Sequence, residues 1–144
     1  MLTVIVAPGD PDRLAGLLAA LTPAAVEGLV REVLIAGAGA RALVEALCDE
    51  TGAEPAADVR SAVRQAKSEL LLVAAPEWRP LEGWVEKLAD HLREGGRAAV
   101  LPGLGAGLFR RAPEALLVGR ADAGSKADVA GLRRVLGPRA RRLA

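Results

Sequence analysis

The stretch Leu70-Leu71-Leu72-Val73 constrains this chain more than any other. Four consecutive apolar residues with no alternation cannot keep one face in water, so the run reads as a strand covered on both sides. A sheet flanked by helices on both faces imposes that condition, and the rest of the chain supplies the parts for one. Thr3-Val4-Ile5-Val6 is a β-branched run stopped by Pro8-Gly9, Val33-Leu34-Ile35-Ala36 is a second strand, and Ala98-Ala99-Val100-Leu101 another. Leu116-Leu117-Val118 reads as a last strand.

Helical spacing fills the intervals. Asp10 and Pro11 supply an N-cap and a first-turn proline for a helix carrying Leu14, Leu17, Leu18 and Leu21, which Thr22-Pro23 is expected to end. Leu43, Val44 and Leu47 share one face of a second helix. Asp58 is placed to cap a third, which bears Val59, Val63 and Ala66. Leu81, Trp84, Val85, Leu88 and Leu92 mark an amphipathic helix closed by Gly95-Gly96, and Val129, Leu132 and Val135 a final one closed by Gly137-Pro138. Strands alternating with helices across short connections predict an α/β fold: a single, mostly parallel central sheet with helices on both faces.

At 144 residues the chain has the length of one domain, and 51% apolar content with 26% charged residues is that of a globular protein. With only 2% aromatics, the core must be built from Leu, Val and Ala. The net charge of +1 points away from nucleic acid as a partner. That balance hides an asymmetry: residues 1–110 carry 11 basic and 15 acidic side chains, residues 111–144 carry 8 and 3. The basic end, with Arg133, Arg134, Arg139, Arg141 and Arg142, fits both a solvated helix end and a weak, salt-sensitive contact with an anionic surface. Cys48 is the lone cysteine, in a helical pattern where it reads as a small buried thiol. Without a signal-like start or a run of about 20 apolar residues, the expectation is a cytoplasmic protein with no stable membrane insertion.

In such sheets ligands gather at the carboxyl ends of the strands. Those ends are Ala7 to Asp10, Gly37 to Arg41, Ala74 to Arg79 and Pro102 to Gly107. Pro8 belongs to the first. Gly37 and Gly39 lie in VLIAGAGARA, a G-x-G-x-x-A pattern that suits either a phosphate-cradling turn or a tight strand-to-helix connection. Glu77, Trp78 and Arg79 follow the LLLV strand: a carboxylate, a ring able to stack on a base or sugar, and a guanidinium able to answer a diphosphate. Arg110 and Arg111 offer the same chemistry further along. Glu114, Asp122 and His91 are isolated, and no residue stands out as a catalytic base.

Taken in order, the opening TVIV strand, REVLIA, the helix ending Thr51-Gly52-Ala53, Arg64-Gln65-Ala66-Lys67 before LLLV, and Pro80-Leu81-Glu82-Gly83-Trp84 resemble bacterial family 2 glycosyltransferases, shortened. The resemblance covers roughly residues 2 to 95. It implies a GT-A, Rossmann-like nucleotide-binding half at residues 1–95, followed by a shortened carboxyl-terminal part at 96–144. It also implies a nucleotide or nucleotide sugar as ligand and a divalent metal as cofactor. The family's acidic positions are replaced: Gly37 stands where an aspartate usually closes the second strand, and Ala75-Pro76-Glu77 where an Asp-x-Asp usually binds metal and phosphates. No metal or other cofactor is therefore expected, because one carboxylate alone is a poor ligand set for a hard divalent cation.

Three functions fit these residues. One is a glycosyltransferase-like domain in which metal-dependent transfer is weakened or lost, a pseudoenzyme that binds a ligand, a protein partner or a second copy of itself. Another is an active, metal-independent glycosyltransferase working through Glu77 and Arg79, and the third is a dinucleotide- or nucleotide-binding Rossmann-type domain using Gly37 and Gly39.

Overall fold

The computed structural model describes residues 1–37, 41–105, 112–124, 128–137 and 140–144. Gly39, Arg110, Arg111 and Arg139 lie outside the described residues. Six strands form one open sheet: β1 (Leu2–Val6), β2 (Val30–Ala36), β3 (Glu54–Ala56), β4 (Leu70–Ala74), β5 (Ala99–Pro102) and β6 (Glu114–Gly119). Their order across the sheet is β3-β2-β1-β4-β6-β5.

The LLLV run is the middle of the sheet. Leu71, Leu72 and Val73 pair with Thr3, Val4 and Ile5 on one side and with Val118, Leu117 and Leu116 on the other. All three are fully buried, as a strand covered on both faces requires. On one face Val4, Val6 and Leu72 meet α1 (Leu14–Val26), α2 (Arg41–Thr51) and α4 (Trp84–Arg93). On the other, Ile5, Leu34, Leu71 and Val73 meet α3 (Val59–Gln65), α5 (Arg120–Ala123) and α6 (Val129–Leu136).

The sheet is mixed, so the expectation of a mostly parallel one holds in part. β1 pairs in parallel with β2 and β4, and β2 with β3, but β6 runs antiparallel to both β4 and β5. The reason lies in the connection. A parallel return needs a crossover of a dozen or more residues, usually a helix, and residues 103–113 between β5 and β6 are too few.

Three local details also differ from the sequence reading. β3 is only Glu54-Pro55-Ala56, an edge strand too short and too proline-marked to show a periodic pattern. Helix α1 continues through Pro23 to Val26. Proline removes one helical donor, yet Ala24 beyond it is fully buried, and the packing of that last turn outweighs the lost bond. The carboxyl end folds back along β5: the Val100 N–H donates to the Arg141 carbonyl at 2.7 Å, and the Leu143 N–H to the Val100 carbonyl at 2.9 Å.

That return engages the basic end. Arg142 pairs with Glu114 at 2.7 Å, Arg133 with the same carboxylate at 3.6 Å, and Arg141 with Glu94 at 3.0 Å. Three of the arginines read as a basic patch are thus partly neutralised by acids of the fold. Among the described residues no helix is long and apolar enough to cross a membrane.

Candidate functional site

From β1 the chain moves outward to β2 and β3, then returns to the other side of β1 as β4. The order therefore reverses between β1 and β4, and the crevice at their carboxyl ends is where an open α/β sheet binds ligands. Two loops form it, residues 7–10 after β1 and 75–80 after β4.

The loops are laced to each other. The ladder runs one step beyond the strands, with the Ala7 N–H donating to the Ala74 carbonyl at 2.8 Å. Next, the Asp10 N–H donates to Glu77 Oε1 at 2.6 Å. Gly9 lies between, and a Cβ there would come within 2.8 Å of both Glu77 carboxylate oxygens, so only glycine lets the carboxylate lie this close. Asp10 meanwhile uses its own side chain to accept from the Asp12 N–H, capping the 3-10 turn Pro11–Arg13 that leads into α1.

Arg79 supplies the second tie. Its Nη1 donates to the carbonyls of Pro76 and Trp78, both at 2.7 Å, and its Nη2 to the Arg13 carbonyl at 2.9 Å. The guanidinium lies directly over Gly16 of α1, where a Cβ would collide with Nη2. The planar fork is spent on backbone carbonyls of three residues, binding the β4 loop to the start of α1.

Trp78 is 0% exposed and packs edge-to-face on Trp84, with ring centroids 5.4 Å apart. Its Nε1 finds no hydrogen-bond partner. A Cβ on Gly103 would approach Trp78 Cδ1 to 2.8 Å and the Pro113 carbonyl to 2.5 Å, so this ring is enclosed by the β5 loop. It anchors the loop in the core and offers no free face for stacking.

Pro8 and Gly37 do come together. Gly37 holds φ +104°, a conformation that favours glycine, and its N–H donates to the Ala56 carbonyl at 3.1 Å. A Cβ there would meet Pro8 Cγ at 3.2 Å. Between them opens a cleft of about 120 Å³ lined mainly by Val6, Pro8, Ile35, Gly37, Val44 and Pro76. It is apolar. The larger groove of about 500 Å³ beside α1 and α2 is lined chiefly by Leu18, Leu21, Val33 and Leu47, away from the strand carboxyl ends. Its hydroxyls, on Thr22 and Thr51, are turned to the Leu18 and Leu47 carbonyls.

The residues at the crevice do not fit a divalent metal. Ala75 has no ligand atom, and Glu77 is engaged by the Asp10 amide. No group of three or more His, Cys, Asp or Glu side chains gathers among the described residues. Cys48 is a weak nucleophile, its thiol pushed up by burial and then by Asp49, Glu45 and Glu54. His91 is buried at the end of α4, with neither ring nitrogen partnered.

Of the six residues singled out in the sequence, Pro8, Gly37, Glu77 and Arg79 surround this crevice, Trp78 lies beneath it, and Gly39 lies outside the described residues. Sequence reasoning missed Gly9, Gly16 and Gly103, which make room for the ties. Their only signal was glycine itself, and a helix-interior glycine such as Gly16 is one of the few places where that signal is informative. No protein-family model and no curated protein matches this chain.

Proposed function

We propose that this chain is a glycosyltransferase-like domain that keeps the ligand crevice of an α/β sheet and has given up metal-dependent transfer. One observation carries the reading: the acidic and basic groups at the crevice, Glu77 and Arg79, are committed to holding its two loops together. A transferase needs these charges free for the developing charge on a leaving diphosphate. Here the residual binding element is the apolar cleft between Pro8 and Gly37, of a size to take part of a planar base and without a charged group to pull on a phosphate.

An assay of UDP-sugar turnover, with manganese and separately with chelator, tests this. The expectation is no UDP release above buffer in either condition. Release with chelator present would favour the metal-independent transferase, and release that requires manganese would overturn the proposal. The dinucleotide reading finds less support, because the glycine-containing turn follows β2 while the central strand β1 leads into Ala7-Pro8-Gly9-Asp10.

A further inference from the structure

The opposite end of the sheet gathers unpaired positive charge. Because β6 is antiparallel to β4, its last residue, Gly119, pairs with Leu70 at the start of β4. Arg120, which follows β6, is thereby brought beside the loop 66–69 that precedes β4, and Arg97, which precedes β5, reaches the same end. Arg64, Arg97 and Arg120 line a cleft of about 500 Å³ there. A neighbouring cleft of about 430 Å³ is lined by Arg31, Lys67, Ser68 and again Arg97. Arg97 and Glu69 border both.

None of these five cations forms an ion pair among the described residues. Arg31 and Arg120 each donate to a backbone carbonyl, of Lys67 and Ala66, and Arg64 to the Ser61 hydroxyl. Four acids stand near, one of them Asp58, whose carboxylate caps α3 and interacts with Arg64 without forming an ion pair with it. Glu32 is taken up by the Thr3 hydroxyl and the Lys67 N–H, at 2.7 and 2.6 Å. Glu69 lines both clefts, and Asp122 approaches Gly119 beside Arg97. Positive charge remains in excess. A second observation is independent of charge: Ser68 is 5% exposed, and its hydroxyl has no hydrogen-bond partner. A buried hydroxyl left unpaired is unusual in a folded protein and asks for an acceptor.

We infer that the amino-terminal end of the sheet is a binding site for the phosphate or diphosphate group of a small phosphorylated molecule, held where the two clefts meet at Arg97. Guanidinium forks match phosphate oxygens in pairs, and the Ser68 hydroxyl supplies a neutral donor to the same anion. The site is separate from the crevice after β1 and β4, and its existence does not depend on the function proposed for that crevice.

Titration calorimetry with inorganic pyrophosphate at constant ionic strength tests the inference. The intact chain is expected to bind saturably, Arg97→Gln to weaken binding at least tenfold, and Ser68→Ala to weaken it several-fold. Glu77→Gln, at the other end of the sheet, is expected to leave binding unchanged, which separates this site from the crevice. Absence of saturable binding would overturn the inference, as would affinity unaffected by Arg97→Gln. Far-ultraviolet circular dichroism of each variant establishes that it is folded, and Arg97, being exposed, is expected to tolerate the change.

Discussion

The backbone N–H of Asp10 and the carboxylate of Glu77 meet at 2.6 Å, joining the loop after β1 to the loop after β4 at the point where the strand order reverses. A carboxylate left free at this crevice could face a ligand. Here it faces the protein. That difference makes Glu77 a structural residue whose removal should be felt as lost stability.

Glu77→Ala is therefore expected to lower stability by about 1–2 kcal/mol, the usual effect of deleting a charged acceptor from a partly exposed amide. Glu77→Gln keeps an acceptor oxygen and should cost less. Urea denaturation of both variants checks this ordering, and a Glu77→Ala protein as stable as the parent would mean that the bond to Asp10 contributes nothing.

Arg79 and Gly16 should be coupled. Gly→Ala inside a helix ordinarily gains about 1 kcal/mol, but a Cβ at Gly16 would collide with the Arg79 guanidinium. Gly16→Ala alone is expected to be neutral or destabilising, and to become stabilising in an Arg79→Ala background. A double-mutant cycle by chemical denaturation measures the interaction, and additivity within about 0.5 kcal/mol would contradict it.

Much of this was legible in the sequence, for reasons that differ by residue. The LLLV run placed β4 in the middle of the sheet because only a strand buried on both faces tolerates that pattern. Asp58 announced its helix because an N-cap is a local bond, and it is observed accepting from the Ser61 N–H at 2.7 Å. The direction of β6 was not legible, since an apolar run has the same composition whichever way it points and only the length of the preceding connection constrains it. The burial of Trp78 is not legible for a related reason: a tryptophan in a loop reads as available, and its enclosure depends on the close approach of Gly103, distant in sequence. The roles of Glu77 and Arg79 turn on whether backbone amides and carbonyls of residues 10 and 13 lie within reach, which is a property of the folded loops.

Burial of His91 with two unpartnered ring nitrogens predicts that its polarity contributes nothing to the fold. His91→Leu, similar in bulk, is expected to leave the melting temperature unchanged or raise it, because replacing an unsatisfied polar group removes a desolvation penalty. A marked drop on differential scanning fluorimetry would show that the ring makes a bond essential to the end of α4.

Asp58 should give the stability curve part of its acid limb. Hydrogen bonding from Ser61, chiefly its backbone amide, holds the Asp58 carboxyl below its ordinary value, with smaller help from Arg64 and Arg60. A group depressed in the folded state stabilises above its unfolded pKa, and that contribution is lost as pH falls through the folded one. Asp58→Asn, which keeps the cap without the charge, is expected to flatten this part of the curve below the ordinary carboxylate range. Thermal melts across the acid limb would count against this cause if the parent and Asp58→Asn curves stayed parallel.

If the proposed function holds, the crevice after β1 and β4 takes no metal-bound nucleotide sugar, because Ala75 supplies no ligand and Glu77 is held by the Asp10 amide. The most direct test is the melting temperature with UDP-glucose, measured with and without manganese. No manganese-dependent rise is expected, and a saturable rise that requires manganese and disappears in Glu77→Ala would overturn the proposal.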